Sequence, residues 1–258
     1  MLLNNMENIT VVIPVHELIE DYLDKALKSI NIQKDIENKI NVLIVHPVDV
    51  ELGLNLFLKK KRYKNLKIKK LVNNGNSDFQ SQVNYAVDNV DTEYFSLLEF
   101  DDEYSNIYFR NVSKYMKHYP EVDSFLPLMV EVDRNENLVK LTNEFVWSKS
   151  FIDDNEFGYL TNELLKDFSY FFISGGVFKK SSFIEAGRLK TNFDVSAVYE
   201  FLLRFTYNNF KVFVIPKIGY LHLNDRDGSA TKYFISKYKE KDSKEEFERA
   251  RTEHIFKK

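Results

Sequence analysis

Four carboxylates crowd into five consecutive positions, from Glu99 to Glu103. They follow Tyr94 to Leu98, an apolar run that predicts a buried β-strand. Carboxylates this close repel one another and lose hydration on burial unless a cation joins them. Mg2+ and Mn2+ prefer oxygen ligands and often share them with substrate phosphates. The segment therefore indicates a metal that neutralises a diphosphate leaving group. The alternative is an acidic helix N-terminus, with Asp102 and Glu103 favouring the helix dipole.

The composition excludes several classes of site. The chain has 258 residues and no cysteine, which rules out a disulfide scaffold, a thiolate zinc site and a cysteine nucleophile. The formal net charge of -3 gives no global attraction to nucleic acid or to an anionic membrane. No apolar run approaches the roughly 20 residues of a membrane helix, and no signal peptide is evident at the N-terminus. We expect a cytoplasmic protein (of the host cell, if viral) without stable membrane insertion.

The first half of the chain alternates between strand and helix patterns. Short β-branched or apolar runs predict buried strands, and apolar residues at helical spacing predict helices between them. The strands are expected at 9–15, 41–45, 66–72 and 94–98, and the helices at 18–32, 50–58 and 79–90. Helix-length crossovers between strands predict a mostly parallel α/β sheet with helices on both faces.

The second half is less regular. Strands are predicted at 124–132, 138–147, 211–216 and 219–223, and a helix at 196–208. The segment from 231 to 258 is rich in Lys and Glu and predicts a solvated, charged helical tail. We therefore expect one domain over residues 1–230, with a half of mixed strand direction from about residue 121.

Polar residues follow two of the predicted strands. Pro14, His16 and Glu17 end the first strand, and the turn containing Asn74 and Gly75 follows the third. In a parallel sheet both groups lie at the same edge as the acidic segment, where open α/β sheets bind ligands. They could hold a base and a ribose there. The alternative is ordinary turn and helix-capping chemistry.

Three weaker signals lie in the second half. The paired Gly175 and Gly176, taken to precede a helix, would let backbone N–H groups approach phosphate. Glu200 is a lone acid among bulky apolar residues and could act as a base. Its spacing alone favours instead a helix-surface pair with Arg204 at i+4. His222, on a predicted strand, is either a core histidine or a metal ligand.

A basic run lies between the second and third strands. It covers residues 59–64 and continues through Lys67, Lys69 and Lys70. This density of charge suggests contact with nucleic acid or a membrane. A solvated helix end and loop is the simpler interpretation.

Taken together, these features resemble a GT-A glycosyltransferase of the family-2 type, closest to uncharacterised phage-type members. Residues 9–16 look like the first nucleotide-binding strand of that family. Residues 94–104 look like its "YI-x-x-LD-x-DD" segment, with Glu99 in place of the first Asp of the DxD motif. The likeness covers about residues 9–229, nearly the whole chain.

The resemblance implies a set of site residues. Glu99 and Asp101, with the late His222, would bind Mn2+ or Mg2+. The family's catalytic acidic pair would fall on Ala197 and Val198, which are not acids, so Glu200 is taken as the base and Asp194 as its alternative. The residues expected to bind the nucleotide-sugar donor are Pro14, His16, Glu17, Asp49, Asn74, Gly75, Asn84, Phe100, Gly175 and Gly176.

The resemblance implies a metal-dependent, inverting glycosyltransferase. It would move a sugar from a nucleotide-sugar donor to a hydroxyl of a glycan or other acceptor, with nucleic acid expected only as a modified-base acceptor. Two departures leave room for a non-catalytic nucleotide- or sugar-binding domain: residues 46–49 replace the usual Asp-Asp-Gly-Ser, and the acidic pair is irregular. A glycoside hydrolase with paired carboxylates is a second rival.

Overall fold

The computed structural model describes residues 8–36, 38–144, 158–224, 226 and 240–252. The strands are β1 Ile9–Pro14, β2 Ile40–His46, β3 Leu66–Val72, β4 Tyr94–Leu97, β5 Glu103–Tyr104, β6 Ser124–Val132, β7 Leu138–Thr142, β8 Tyr159–Leu160, β9 Val177–Lys179 and β10 Val212–Leu223. The helices are α1 Glu20–Asn31, α2 Glu51–Lys60, α3 Phe79–Asp88, α4 Tyr108–His118, α5 Asn162–Asp167, α6 Lys180–Glu185, α7 Ala197–Tyr207 and α8 Glu240–Thr252. Among these described helices, none is long and apolar enough to cross a membrane.

The strands form one mixed sheet in the order β3-β2-β1-β4-β9-β6-β10-β5. Strands β1 to β4 are parallel, and β6 is parallel to β10. Strand β9 is antiparallel to both β4 and β6, so β6 and β10 point the same way as β4. The carboxyl ends of β1 to β4, β6 and β10 therefore share one side of the sheet, which we call the carboxyl edge.

Both faces of the sheet are covered, as the continuous apolar strands predict. Along β1, Val11 and Ile13 pack with buried residues of α1, α2 and α4, whereas Val12 packs with residues of α3 and α7. The alternation follows from the period of two in a β-strand. This arrangement confirms the predicted α/β class, with a mixed second half.

Most long elements lie where the sequence predicts them, and β3 and β6 have the predicted bounds. The two late strands are in fact one, β10. Shifts of register between Ile215 and Ile218, and between Ile218 and Tyr220, let the strand continue through Pro216. Strand β7 ends at Thr142, and residues 145–147 of the predicted strand lie outside the described residues.

The C-terminal helix differs from the predicted solvated tail. Helix α8 is charged, but its Ala250 is buried and its Phe247 packs against the core. Glu246 Oε1 accepts hydrogen bonds from the backbone N–H groups of Asp194 and Ser196, at 2.9 and 2.8 Å. Ser196 is the N-cap of α7 and Asp194 lies two residues before it, so Glu246 bonds to the backbone at the entry to the helix. Helix α8 thus caps α7 and belongs to the folded body.

A buried carboxylate ties α1 to the loop after α2. Asp24 Oδ2 lies 2.9 Å from the ammonium groups of both Lys28 and Lys61, and Asp24 Oδ1 accepts a 2.8 Å hydrogen bond from Tyr63. Burial raises the pKa of Asp24, but these partners outweigh it and lower the pKa to about 2. A depressed carboxylate pKa contributes stability above its ordinary value of 3.8.

We predict that Asp24→Asn lowers the free energy of unfolding by about 1 kcal/mol at neutral pH, after allowance for screening of the exposed lysines. The difference from wild type should shrink as the pH falls from about 4 towards 2, where the wild-type carboxylate takes up its proton. Urea unfolding across this range measures it. Asp91→Asn is the control, because Asp91 pairs with Lys69 at the surface, where ion pairs contribute little. A difference that is independent of pH would contradict the assignment.

Candidate functional site

The acidic segment after β4 meets the end of β10 at the carboxyl edge. Glu99, Asp102 and His222 each offer one ligand atom, and these atoms lie within 4.8 Å of one another. We call these three residues the acidic cluster. The strand order brings them together, because β4 and β10 end at the same edge although they are far apart in sequence.

Asp102 joins the two chain segments. Its side chain is almost fully buried, and its Oδ2 lies 2.9 Å from Nδ1 of His222. Its Oδ1 accepts a 2.8 Å hydrogen bond from the backbone N–H of Leu223. A carboxylate on Nδ1 fixes the orientation of an imidazole and raises the basicity of its other nitrogen, Nε2. Asp102 therefore orients His222 as well as adding charge to the cluster.

Glu99 lies between Ser174 and the other carboxylates. Ser174 Oγ donates a 2.5 Å hydrogen bond to Glu99 Oε1, and the backbone N–H of Glu99 donates to the Tyr220 hydroxyl at 3.1 Å. Burial, helped by the charge of Asp102, raises the pKa of Glu99 to about 7, although His222 opposes the shift. The surroundings of Glu99 therefore disfavour its charged form, mainly because the carboxyl group is removed from water.

His222 responds in the opposite direction. Burial alone lowers the pKa of its imidazole, but Asp102, Glu99 and Glu131 outweigh burial and raise it to about 10. The ring is therefore cationic at neutral pH in the protein alone. Its positive charge provides one of the balancing contributions that buried carboxylates need.

Asp101 is not one of the three clustered residues and instead pairs with Arg226. Its Oδ2 accepts a 2.5 Å hydrogen bond from Nε of Arg226. Nη1 of the same guanidinium donates a 2.8 Å hydrogen bond to Glu17 Oε1. The Arg226 guanidinium also lies 5.0 Å from the centre of the Phe100 ring. A turn hydrogen bond of 3.1 Å from Asp102 N to Glu99 O brings Asp102, rather than Asp101, back beside Glu99. The second carboxylate of the cluster is thus one residue later than the sequence indicated.

The donor set suits a hard divalent cation. Glu99 and Asp102 offer carboxylate oxygens and His222 offers an imidazole nitrogen, a combination compatible with Mn2+ and, through its oxygens, with Mg2+. Groups of this kind also occur at protein surfaces without a metal. Here, Asp102 is buried and Glu99 has a raised pKa, which makes an added positive charge favourable.

Residues predicted to bind the donor follow β1, β2 and β3 at the carboxyl edge. His16, just past Pro14, sets its ring edge-on to Phe100 with the centroids 5.1 Å apart. Glu17 is held by Arg226. Asp49 lies in a short 3-10 turn after β2, and the exposed Asn74 and Gly75 lie in the turn after β3. This edge therefore brings together the polar turns that the sequence identified.

The turn after β3 depends on Asn73, which was not among the predicted site residues. Asn73 is buried, donates a 2.9 Å hydrogen bond to the carbonyl of Asn76 and accepts one of 2.9 Å from the N–H of Gly75. Asn side chains commonly bond to the backbone two residues on, and this was the available signal. The capping alternative also holds: Asp78 accepts from the N–H of Ser81 at 2.8 Å and starts α3.

The paired glycines do not form the predicted phosphate cradle. The N–H of Gly175 donates to Leu97 O and the N–H of Gly176 donates to Ile173 O, both at 2.8 Å. Both donors are therefore occupied by the protein, and the segment leads into β9 rather than directly into a helix. Gly175 has a φ of +74°, and a Cβ there would lie 2.5 Å from the Tyr220 ring. The glycines serve close packing beside β4.

Asn84 also has its polar groups occupied within the protein. Its Nδ2 donates to Leu189 O at 2.7 Å, and its Oδ1 accepts from Leu189 N at 3.0 Å. The side chain thereby fixes α3 to the segment that precedes α7. This pairing gives Asn84 a structural role in place of the predicted donor contact.

Glu200 forms the i+4 pair that its spacing allowed. Both of its carboxylate oxygens accept 2.8 Å hydrogen bonds from Arg204, and both side chains are fully buried. Lys190 adds a third contact of 3.1 Å to Glu200. With its oxygens occupied in the core, Glu200 is poorly placed to take a proton from a bound acceptor.

Asp194, the alternative base, lies just before α7. Because α7 precedes β10 and packs on the sheet, its N-terminal end lies near the carboxyl edge. The neighbouring Phe193 carbonyl accepts a 2.8 Å hydrogen bond from Gln80, in the first turn of α3, which itself starts at that edge. Asp194 is only partly buried. Both candidate bases therefore lie near this end of α7, but Glu200 is fully buried against Arg204 whereas Asp194 is partly exposed.

Solved structures share this fold. S. aureus TarS 1-349 in complex with UDP-GlcNAc matches with a TM-score of 0.65 and 15% identity, over 94% of this chain and 65% of that one. The corresponding complex with UDP matches with a TM-score of 0.60 and 15% identity, over 84% of this chain and 60% of that one. This chain thus spans less than two thirds of the length of these TarS chains. The protein has the GT-A fold.

Neither a protein-family model nor a curated protein sequence matches this chain. The GT-A assignment therefore comes from the arrangement of strands and helices rather than from sequence similarity. At 15% identity the TarS structures establish the fold alone.

We predict that Asp102→Asn weakens Mn2+ binding by about tenfold or more, because an amide orients His222 poorly and removes a negative charge. Titration calorimetry with Mn2+ measures the change. Glu103→Gln is the matched control. Glu103 is the neighbouring carboxylate, but it lies in strand β5 and is not part of the acidic cluster. Equal losses in the two variants would contradict a specific role for Asp102.

Glu200→Gln should mainly affect stability. It leaves Arg204 buried without its anionic partner, and we expect a loss of about 3 kcal/mol in the free energy of unfolding, measured with urea. The control is Glu248→Gln, which removes an exposed pair with Arg251 and should change stability by less than about 1 kcal/mol. A Glu200→Gln protein as stable as wild type would restore Glu200 as a candidate base.

Proposed function

We propose that this chain is a metal-dependent, inverting glycosyltransferase that transfers a sugar from a nucleoside-diphosphate sugar to an acceptor hydroxyl. The observation that carries the proposal is the acidic cluster of Glu99, Asp102 and His222 at the carboxyl edge of a GT-A sheet. TarS structures with UDP-GlcNAc and UDP support a uridine nucleotide as the first donor to test. The family-2 and phage-type assignments remain part of this proposal.

The acidic cluster would hold Mn2+ or Mg2+ through Glu99 and His222, with Asp102 supporting both. Such an ion stabilises the negative charge that develops on a diphosphate leaving group. The polar turns after β1, β2 and β3, with His16, Asp49 and Asn74, would contact the nucleoside. Their common position at the carboxyl edge fits the location of ligand sites in open α/β sheets.

Asp194 is the proposed general base. In an inverting transfer the acceptor oxygen bonds to the anomeric carbon while the bond to the diphosphate breaks, and the acceptor proton passes to the base. A partly exposed carboxylate at the carboxyl edge suits this role. Glu200 does not, because Arg204 occupies both of its oxygens.

A non-catalytic nucleotide- or sugar-binding domain is the second candidate. It is favoured by Ala197 and Val198, which stand where the family has its acidic pair. It is also favoured by the ion pair of Arg226 with Asp101, because Asp101 was expected to bind the metal. Both candidate functions predict that a nucleotide sugar binds, but only the glycosyltransferase predicts turnover.

We predict donor-dependent turnover in the presence of Mn2+, tested by incubating the protein with a broad panel of nucleotide sugars and measuring release of the nucleoside diphosphate. Asp194→Asn should lower kcat by about 100-fold or more while changing the KM for the donor little, as expected for loss of a general base. Asp167→Asn, which changes a carboxylate at the end of α5, is the control. Nucleotide binding without turnover across the panel would favour the non-catalytic candidate, and unchanged kcat in Asp194→Asn would exclude Asp194 as the base.

A further inference from the structure

Helix α2 carries apolar side chains on two opposite faces. Leu54 and Phe57 are fully buried and fill the core beside α1. Leu52 and Leu56, on the opposite face, are 73% and 50% exposed. Val48, in the turn before the helix, is 58% exposed and continues the same line at a spacing of four residues. This outward apolar stripe is therefore additional to what the core needs.

Positive charge surrounds the end of the stripe. Residues 59–70 contain eight Lys or Arg and no Asp or Glu, in a chain whose formal net charge is -3. All eight basic side chains are exposed. Lys61 pairs with Asp24 and Lys69 with Asp91, but these two acids balance only part of the local charge.

The charge and the apolar stripe form one surface. Lys70, on the edge strand β3, donates a hydrogen bond to Asn55 of α2. Asn55 is half-buried and flanks the line of Leu52 and Leu56, so the Lys70 ammonium lies beside the stripe. Lys59 and Lys60 extend the positive charge from the last turn of α2. We call Val48, Leu52, Leu56 and the basic residues on the same face, Lys59, Lys60, Lys61, Arg62, Lys64 and Lys70, the α2 surface; Lys67 and Lys69 alternate with Lys70 along β3 and face the other side of the sheet.

The position of the α2 surface leaves it open. Strand β3 is the first strand in the sheet order, so α2 and β3 lie at the lateral edge of the sheet. Helix α2 starts just after β2 ends, which places Val48 and Leu52 near the carboxyl edge and next to Asp49. An extended partner on the α2 surface would therefore lie alongside the candidate site without covering it.

We propose that the α2 surface binds the anionic face of a lipid bilayer, with α2 lying in the plane of the interface. Aliphatic side chains enter the boundary between headgroups and acyl chains, and surrounding lysines attract anionic headgroups. A duplex or single-stranded nucleic acid would use the lysines but would gain nothing from exposed leucine and valine. Single-stranded nucleic acid is usually held by stacked aromatic rings, whereas the strongly exposed apolar residues of this surface are aliphatic.

Such binding is peripheral and reversible, and it is compatible with a negative net charge because charges beyond a Debye length are screened. It requires no membrane-spanning helix. It would hold the carboxyl edge close to the bilayer, whichever reaction the site performs, so the inference does not depend on the proposed function.

Co-sedimentation of the full chain with vesicles tests the proposal. We expect binding to vesicles of equal parts phosphatidylglycerol and phosphatidylcholine, at least about tenfold tighter than to phosphatidylcholine alone, and weaker at high salt. Lys59→Glu with Lys60→Glu should weaken it by about tenfold or more. Leu52→Gln with Leu56→Gln should do the same by removing the apolar contact, and both leucines are exposed enough to change without unfolding the helix.

The control is Lys114→Glu with Lys117→Glu, which reverses the same number of charges on exposed positions of α4. Its vesicle binding should stay near that of wild type, and thermal unfolding should show all variants folded. Absence of binding to the anionic vesicles, or equal losses in the α2 and α4 charge variants, would overturn the proposal. Tight binding to an oligonucleotide that is sensitive to the lysine changes but not to the leucine changes, without vesicle binding, would assign the surface to nucleic acid instead.

Discussion

The crowding of three carboxylates at the end of one strand, with Asp102 buried and Glu99 and Asp101 half-buried, is the constraint on which the arrangement of this site depends. Glu99, Asp101 and Asp102 occupy three of four consecutive positions shortly after β4, and burial raises the pKa of the first two. Each carboxylate has a different polar partner. Ser174 bonds to Glu99, Arg226 to Asp101, and His222 together with the Leu223 amide to Asp102. Unpartnered carboxylates in these positions would be strongly destabilising.

The topology of the second half brings these partners to the end of β4. Strand β9 inserts antiparallel beside β4, so the segment that precedes it, with Ser174 and Gly175, lies against Glu99. Strand β10 returns parallel to β6 and ends at the same edge, which delivers Tyr220 and His222. The left-handed backbone of Gly175 then allows the Tyr220 ring to approach closely. The mixed sheet is thus what makes one compact polar site out of segments more than 100 residues apart.

The sequence predicted most of the long elements, although not α4, and it predicted that the acidic segment follows a buried strand, because these features follow from local patterns. Buried β-branched runs define β1 and β2, and the acidic segment comes directly after an apolar strand. The sequence did not predict which Asp would join Glu99, since one turn hydrogen bond decides whether Asp101 or Asp102 faces the cluster. It also missed Arg226 and the capping of α7 by Glu246, which are contacts over long sequence separations. Short strands such as β5 have too few residues for a recognisable period.

The proposed function requires that the acidic cluster bind a nucleoside diphosphate through a divalent cation. Titration calorimetry of uridine, guanosine, adenosine and cytidine diphosphates, each with Mn2+ and with a chelator, tests this binding most directly. We expect at least one of them to bind about tenfold or more tightly with Mn2+, and we expect Glu99→Gln to abolish this difference while Glu103→Gln retains it. Affinity that is equal with Mn2+ and with chelator, or a Mn2+ effect that persists in Glu99→Gln, would contradict it.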